Sequence, residues 1–284
     1  MPHSHWALQI AYNGSQFQGF QTQPRQRTVQ AELERALKQL LRQPCPVTVA
    51  GRTDAGVHAH GQVVSFSAQL PFPASELRRL LPHFLPEDLA LKGLWPVPAH
   101  FHARFSARGR HYRYLLRLNS APDPFQSQLC WQLRSAVEVK ALAEAWAQCQ
   151  GQHDFGPLAR SQPNQRDSHL RVYFSELRPQ GEFYALEIIA NRFLTSLVRR
   201  LVGTALDMAR GRLPADYLTQ ILSAKILPPE PQGQLAPPQG LYLCQVLYPP
   251  EYGIQPHYPH PLCQASEARI PAEALSDPGQ WWQV

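Results

Sequence analysis

The octapeptide Gly51-Arg52-Thr53-Asp54-Ala55-Gly56-Val57-His58 forces the chain to reverse. It separates two stretches, residues 47–50 and 62–68, whose apolar and β-branched side chains predict strands. It also sets one carboxylate between glycines and beside an arginine, just ahead of an apolar strand. Catalytic acids are commonly presented this way. Turn chemistry explains part of the pattern, since Asp and Gly favour tight turns and Gly56 can take the positive φ that other residues avoid. For Asp54-Ala55-Gly56 alone a plain strand-to-strand turn is the commoner meaning, so the whole octapeptide has to be weighed.

The flanking patterns alternate between strand and helix. A strand is expected at residues 6–12. Thr28 is a suitable N-cap for a helix over 29–43, in which Val29, Leu33, Ala36, Leu37, Leu40 and Leu41 form one apolar stripe. A short helix near 75–81 should end around Pro82. Residues 1–105 thus read as one α/β domain carrying the Asp54 loop. The second half repeats the order loosely, with a strand at 112–118, a helix near 137–149, strands at 171–177 and 184–189, and a long helix over 191–210. A second α/β domain over 106–252 follows. Residues 228–238 form a Pro/Gln/Gly-rich loop, and 253–284 a Pro/His-rich C-terminal extension with no clear apolar period.

A chain of 284 residues with 44% apolar content buries one large core or two ordinary ones and is not a disordered chain. Its apolar runs are short and residues 1–12 hold no hydrophobic leader, so no membrane association is expected and the cytoplasm is the default compartment. Five cysteines at 45, 130, 149, 244 and 263, without a Cys-x-x-Cys pair, read as free thiols, neither a disulfide framework nor a zinc site. His58 and His60 would face one way on a strand. With no third ligand nearby they are not expected to hold a metal.

The net charge of +6 is modest, but of 27 basic residues only Lys38, Lys92, Lys140 and Lys225 are lysines. Arginine binds phosphate with a planar fork and stacks on rings, although a GC-rich genome also favours its codons. Arg104, Arg108, Arg110, Arg113 and Arg117 fall close to His102, His111, Tyr112 and Tyr114, a mixture that suits RNA. On a strand, Arg110, Tyr112, Tyr114, Leu116 and Leu118 share one face, which should enter the core. His111, Arg113, Leu115 and Arg117 share the other. In the long helix, Phe193, Leu194, Leu197, Val198, Leu201, Val202, Ala205 and Leu206 make the apolar stripe, opposite Arg192, Arg199, Gly203 and Arg210. A solvated basic face is the ordinary meaning of that opposition.

Several blocks together resemble the tRNA pseudouridine synthase A family. They are the octapeptide with Gly61-Gln62-Val63-Val64-Ser65-Phe66, Ala11-Tyr12-Asn13-Gly14, Gly19-Phe20-Gln21, Thr28-Val29-Gln30, Ser106-Ala107, Arg110 to Tyr114, His153-Asp154-Phe155, Phe193 to Gly203 and Gly240-Leu241-Tyr242-Leu243. The resemblance implies an α+β fold, with two ferredoxin-like α/β subdomains, joined antiparallel sheets and a cleft between them. It further implies a homodimer, no cofactor, and isomerisation of uridine to pseudouridine in the tRNA anticodon stem-loop, at positions 38, 39 and 40. Asp54 matches the catalytic aspartate, Tyr112 the tyrosine that stacks on the target base, Arg52 an arginine used in base flipping, and Arg199 an arginine that pairs with the aspartate.

Those assignments make chemical sense. The reaction needs a carboxylate as nucleophile or base, and a base must leave its stack to reach one. A glycosidase would normally use paired carboxylates, and no second acid lies near Asp54 in sequence. Phe20 stands where the family commonly has tryptophan. Residues 156–159 and 165–167 depart from its more polar pattern, which leaves RNA contacts by that loop open. A catalytically idle tRNA chaperone, and a synthase acting on other RNAs or positions, are the alternatives.

Overall fold

A computed structural model describes residues 4–118, 121–159, 168–223 and 233–254 of the chain. Residues 165–167, Cys263 and nearly all of the expected C-terminal extension lie outside them. The backbone forms two compact units. One is built from the chain up to Arg108 together with the chain from Tyr242 onward, and the other from Gly109–Leu241.

The first unit contains β1 (Ser4–Tyr12), α1 (Val29–Leu41), β2 (Thr48–Val49), β3 (His58–Ala68), α2 (Ala74–Leu80) and β4 (Leu89–Val97). The strands run β4-β1-β3-β2 with every neighbour antiparallel, the split β-α-β-β-α-β arrangement of ferredoxin-like folds. Thr28 caps α1 by accepting a hydrogen bond from the Ala31 amide at 3.3 Å. Leu33 and Leu37 on the predicted stripe are fully buried, each worth about 2 kcal/mol in apolar area removed from water. α1 stops short of residue 43 because Arg42 adopts a left-handed conformation and Pro44 follows. β3 begins at His58, ahead of the expected residue 62. The cause is β10 (Leu241–Leu247), which pairs in parallel with its start, Tyr242 against His58 and Leu243 against Ala59.

The second unit contains β5 (Gly109–Leu118), β6 (Trp131–Leu133), α3 (Val139–Ala147), β7 (Gly151–Asp154), β8 (His169–Gln180), β9 (Phe183–Ala190), α4 (Leu197–Ala209) and α5 (Tyr217–Leu222). Its strands run β5-β9-β8-β7 with antiparallel neighbours, and β6 adds in parallel to β5. Helices α3 and α4 pack on each other, and α3 on β8. The long helix starts at Leu197 and not at 191. Asn191 turns its side-chain oxygen to the Arg171 and Arg192 amides, and Ser196 is left-handed at φ 57°, so a loop carries Phe193 and Leu194.

Both faces of β5 are buried, which corrects part of the charge reading. Arg113 is 2% exposed, and its Nη2 lies 2.5 Å from Glu187 Oε1, while His111 Nε2 lies 2.5 Å from Glu187 Oε2. Arg113 therefore neutralises a buried carboxylate that His111 also contacts, and both are turned away from RNA. Burial alone would push Glu187 up, but the hydrogen bonds and positive charges of His111 and Arg113 outweigh it and hold the carboxyl below its usual range. Tyr114 enters the core as expected, fully buried, and donates to the Pro237 carbonyl at 2.7 Å. Cys45, Cys130, Cys149 and Cys244 are buried free thiols, and burial pushes Cys149 up to about 12. Among the described residues no helix is long and apolar enough to cross a membrane.

Candidate active site

The Asp54 loop is held at both ends and along its length. At its start, Gln62 Nε2 donates to the Gly51 carbonyl at 2.6 Å. Thr53 is buried, and its hydroxyl lies 2.8 Å from that of Tyr12, which Gln62 Nε2 approaches at 3.4 Å. The Val57 amide closes a four-residue turn on the Asp54 carbonyl at 3.2 Å. Gly56, its third residue, sits at φ 78°, as a type II turn requires. With Thr53 turned inward, Arg52 is exposed and Asp54 is half-buried. The loop thus offers its cation and its carboxylate while anchoring the residue between them.

The chain that follows β1 forms the other side of this support. The Phe20 amide donates to the Thr53 carbonyl at 3.1 Å, and the Gly56 amide to the Phe17 carbonyl at 3.3 Å. Gly14 is packed so closely that a Cβ there would lie 2.0 Å from the Val57 carbonyl oxygen, so no larger residue fits. Phe17 is 2% exposed and lies under the Arg27 guanidinium at 4.3 Å. Arg27 in turn grips both carboxylate oxygens of Asp88 at 2.7 and 2.8 Å and reaches Glu32 at 3.3 Å. Phe20 is fully buried against Tyr12, so the aromatic ring at that position serves the core.

His58 and His60 both stack on the ring of Tyr242, at 4.6 and 5.2 Å. His58 Nδ1 also accepts the Gly14 amide at 3.1 Å.

In the second unit, Tyr112 on β5 is 7% exposed and meets Phe193 edge to face, with ring centroids 4.9 Å apart. Arg199, in the first turns of α4, donates from Nε to the Ala236 carbonyl at 2.8 Å, and the Ala236 amide returns a bond to the Arg199 carbonyl at 3.1 Å. The next residue, Arg200, donates to the Gly233 carbonyl at 2.7 Å. The basic side of α4 is therefore clasped to residues 233–236 and is not simply a solvated face.

Arg52 and Asp54 share one loop of the first unit, whereas Tyr112 and Arg199 sit on two elements of the second. The sequence reading had no role for Gln62, Phe17, Arg27 or Asp88 as supports of the loop. No local pattern marks them, because each acts through a residue distant in sequence. Tyr12 and Gln62 stood only as strand residues and inside resemblance blocks, and Gly14 only inside such a block.

A family model described as tRNA pseudouridine synthase matches residues 9–106 and 145–249. Arg52, Asp54 and Arg199 fall inside these segments and Tyr112 falls between them. The chain is 38% identical over 251 residues to the tRNA pseudouridine synthase A of Paraburkholderia phymatum, covering 87% of this chain and 92% of that relative. It is 35% identical over 240 residues to the tRNA pseudouridine synthase A of a Geobacillus species (strain WCH70), covering 84% and 96%. Against the protein of the same name from a Geobacter species (strain M21) it is 35% identical over 242 residues, covering 85% and 98%. Matched over most of its length, by a family model and by full-length relatives alike, the chain belongs to the tRNA pseudouridine synthase family.

Proposed function

We propose that the protein converts uridine to pseudouridine at positions 38, 39 and 40 of the tRNA anticodon stem-loop, with Asp54 as the catalytic carboxylate. The N1–C1′ bond breaks, the base turns, and C5 joins C1′. One proton leaves C5 and one returns to N1, so atoms and electrons balance without an oxidant or reductant. Asp54 supplies the carboxylate, as nucleophile at carbon or as base on the substrate. Arg52 assists in flipping the uridine out of its stack, Tyr112 stacks on the flipped base, and Arg199 supplies the guanidinium that the family resemblance assigns to it. The protein acts in the cytoplasm as a homodimer, and sedimentation giving a strict monomer at working concentration would remove the dimer.

The observation that supports this reading most is the built loop. The Thr53 and Gly56 contacts fix the backbone on either side of Asp54 while leaving its side chain half-buried. A turn with no chemical task does not need support along its whole length. The test is pseudouridine mapping on unmodified tRNA with the wild type and with Asp54→Asn, without added metal or cofactor. Modification of the anticodon arm by the wild type alone, with binding retained in the variant, supports the reading. Binding by both proteins with no pseudouridine from either would make the protein an RNA-binding chaperone.

A further inference from the structure

We propose that His58 is a positioning residue for the catalytic loop, acting through a neutral imidazole that holds the Gly14 amide. The proposal rests on Asp54 being the catalytic carboxylate. A backbone amide can only donate, so the nitrogen that meets it at 3.1 Å, Nδ1, must carry no proton. The ring is 2% exposed and stacks on Tyr242 at 4.6 Å with an interplanar angle of 17°. Tyr242 is also the strand partner of His58 in the parallel pairing of β10 with β3. Backbone pairing and ring stacking thus fix the orientation of the imidazole, with its acceptor facing Gly14.

What that acceptor holds matters for the loop. Gly14 lies against the Val57 carbonyl so tightly that not even a Cβ fits. From it the chain runs to Phe17 and Phe20, whose backbone groups bond Gly56 and Thr53 on either side of Asp54. Three hydrogen bonds join the two segments along this seam: Gly14 to His58, which uses a side chain, and Gly56 to Phe17 and Phe20 to Thr53, which use backbone groups. An apolar residue at position 58 would pack in a buried strand equally well. It would leave the Gly14 amide without this acceptor and free the first anchor of the seam. Packing accounts for a ring at position 58, and the seam accounts for an imidazole.

Three variants separate acceptor from ring. Asn places Oδ1 as far from Cβ as histidine places Nδ1, so His58→Asn keeps an acceptor and loses the stack. His58→Phe keeps the stack and loses the acceptor, and His58→Ala loses both. Each is assayed for thermal unfolding, for binding of unmodified tRNA, and for the single-turnover rate of pseudouridine formation, with Asp54→Asn alongside. The expected result is a rate loss of about tenfold or more in His58→Phe with binding within about twofold, and a rate in His58→Asn within about threefold of wild type. Wild-type rate in His58→Phe, or His58→Asn as slow as His58→Phe, overturns the proposal. If His58→Phe does not fold, the comparison passes to His58→Asn and His58→Ala, and equal rates in those two overturn it. Full activity in Asp54→Asn would sink the reading of Asp54 instead, whatever the His58 variants do.

Discussion

Removing a single oxygen, in Tyr12→Phe, tests whether the support beneath the Asp54 loop governs catalysis or only stability. Tyr12 is 4% exposed, and burial, opposed by its bonds to Thr53 and Gln62, pushes its phenol up to about 12, so it keeps its proton at any working pH. The Gln62 amide nitrogen can only donate, which directs the Tyr12 hydrogen to Thr53 Oγ1. The variant therefore removes one acceptor from Gln62 and one donor from Thr53. Gln62 keeps its 2.6 Å bond to the Gly51 carbonyl, so the main loss falls on Thr53. Such a loss costs about 1–3 kcal/mol. For units of this size that lowers the melting temperature by about 2–4 °C per kcal/mol. Thr53 adjoins Asp54, and with Asp54 as the proposed catalytic carboxylate a small displacement lowers turnover steeply, so kcat should fall by about tenfold or more. KM for tRNA should hold, because a buried hydroxyl has no surface to offer RNA. Calorimetry and steady-state kinetics on unmodified tRNA give both numbers. A lower melting temperature with unchanged kcat would refute a positioning role for the hydroxyl chain.

Glu187→Gln should destabilise the second unit by about 3–5 kcal/mol, since the buried Arg113 would lose the carboxylate that neutralises it. The folded carboxyl titrates below its unfolded value, so its stabilisation is present above the unfolded carboxylate pKa near 4.5 and lost as pH falls through the folded one. Unfolding followed from pH 7 to pH 3 should show a shallower acid loss in the variant, and an unchanged slope counts against the linkage. Arg199→Leu should lower kcat by about tenfold or more while the variant stays folded, and near-normal turnover would remove Arg199 from the catalytic set. Affinity for tRNA should fall with salt, with a log–log slope near −0.7 to −0.9 per phosphate contact, and a flat response would contradict RNA binding.

How much of this was legible in the sequence depends on how far apart the interacting residues lie. α1 could be read almost to its ends because cap and stripe are local: Thr28 and Val29 to Leu41 carry both. β4 gave no clear strand pattern because Gly93 and Pro96 interrupt it. The fold tolerates both, since among the described residues β4 pairs only with β1 and an edge strand can spare an amide. The true start of β3 was hidden for the opposite reason: His58 and Ala59 become strand through Tyr242 and Leu243 near the other end of the chain. Charge patterning misled at β5, where alternation suggested a basic face. Whether Arg113 meets solvent depends on Glu187 in β9, which no window around residue 113 contains.

The same distinction explains why chemistry was easier to read than support. A turn that presents an acid needs particular residues next to it, so Arg52, Asp54 and Gly56 sit together and can be recognised together. Its supports need only reach the loop in space, and Tyr12, Gln62 and Asp88 come from three different segments of the first unit. Each also has a bland meaning of its own: a strand tyrosine, a strand glutamine, a loop aspartate. Asp88 shows the consequence most clearly. Its carboxylate accepts hydrogen bonds from Nη1 and Nη2 of Arg27, and its carbonyl accepts the Asn13 amide at 3.0 Å. It thereby ties the loop after β1, which carries Phe17, to the start of β4. A carboxylate far from Asp54 in sequence thus helps hold the backbone on which the proposed catalytic carboxylate stands, and only the folded chain brings the two into one argument.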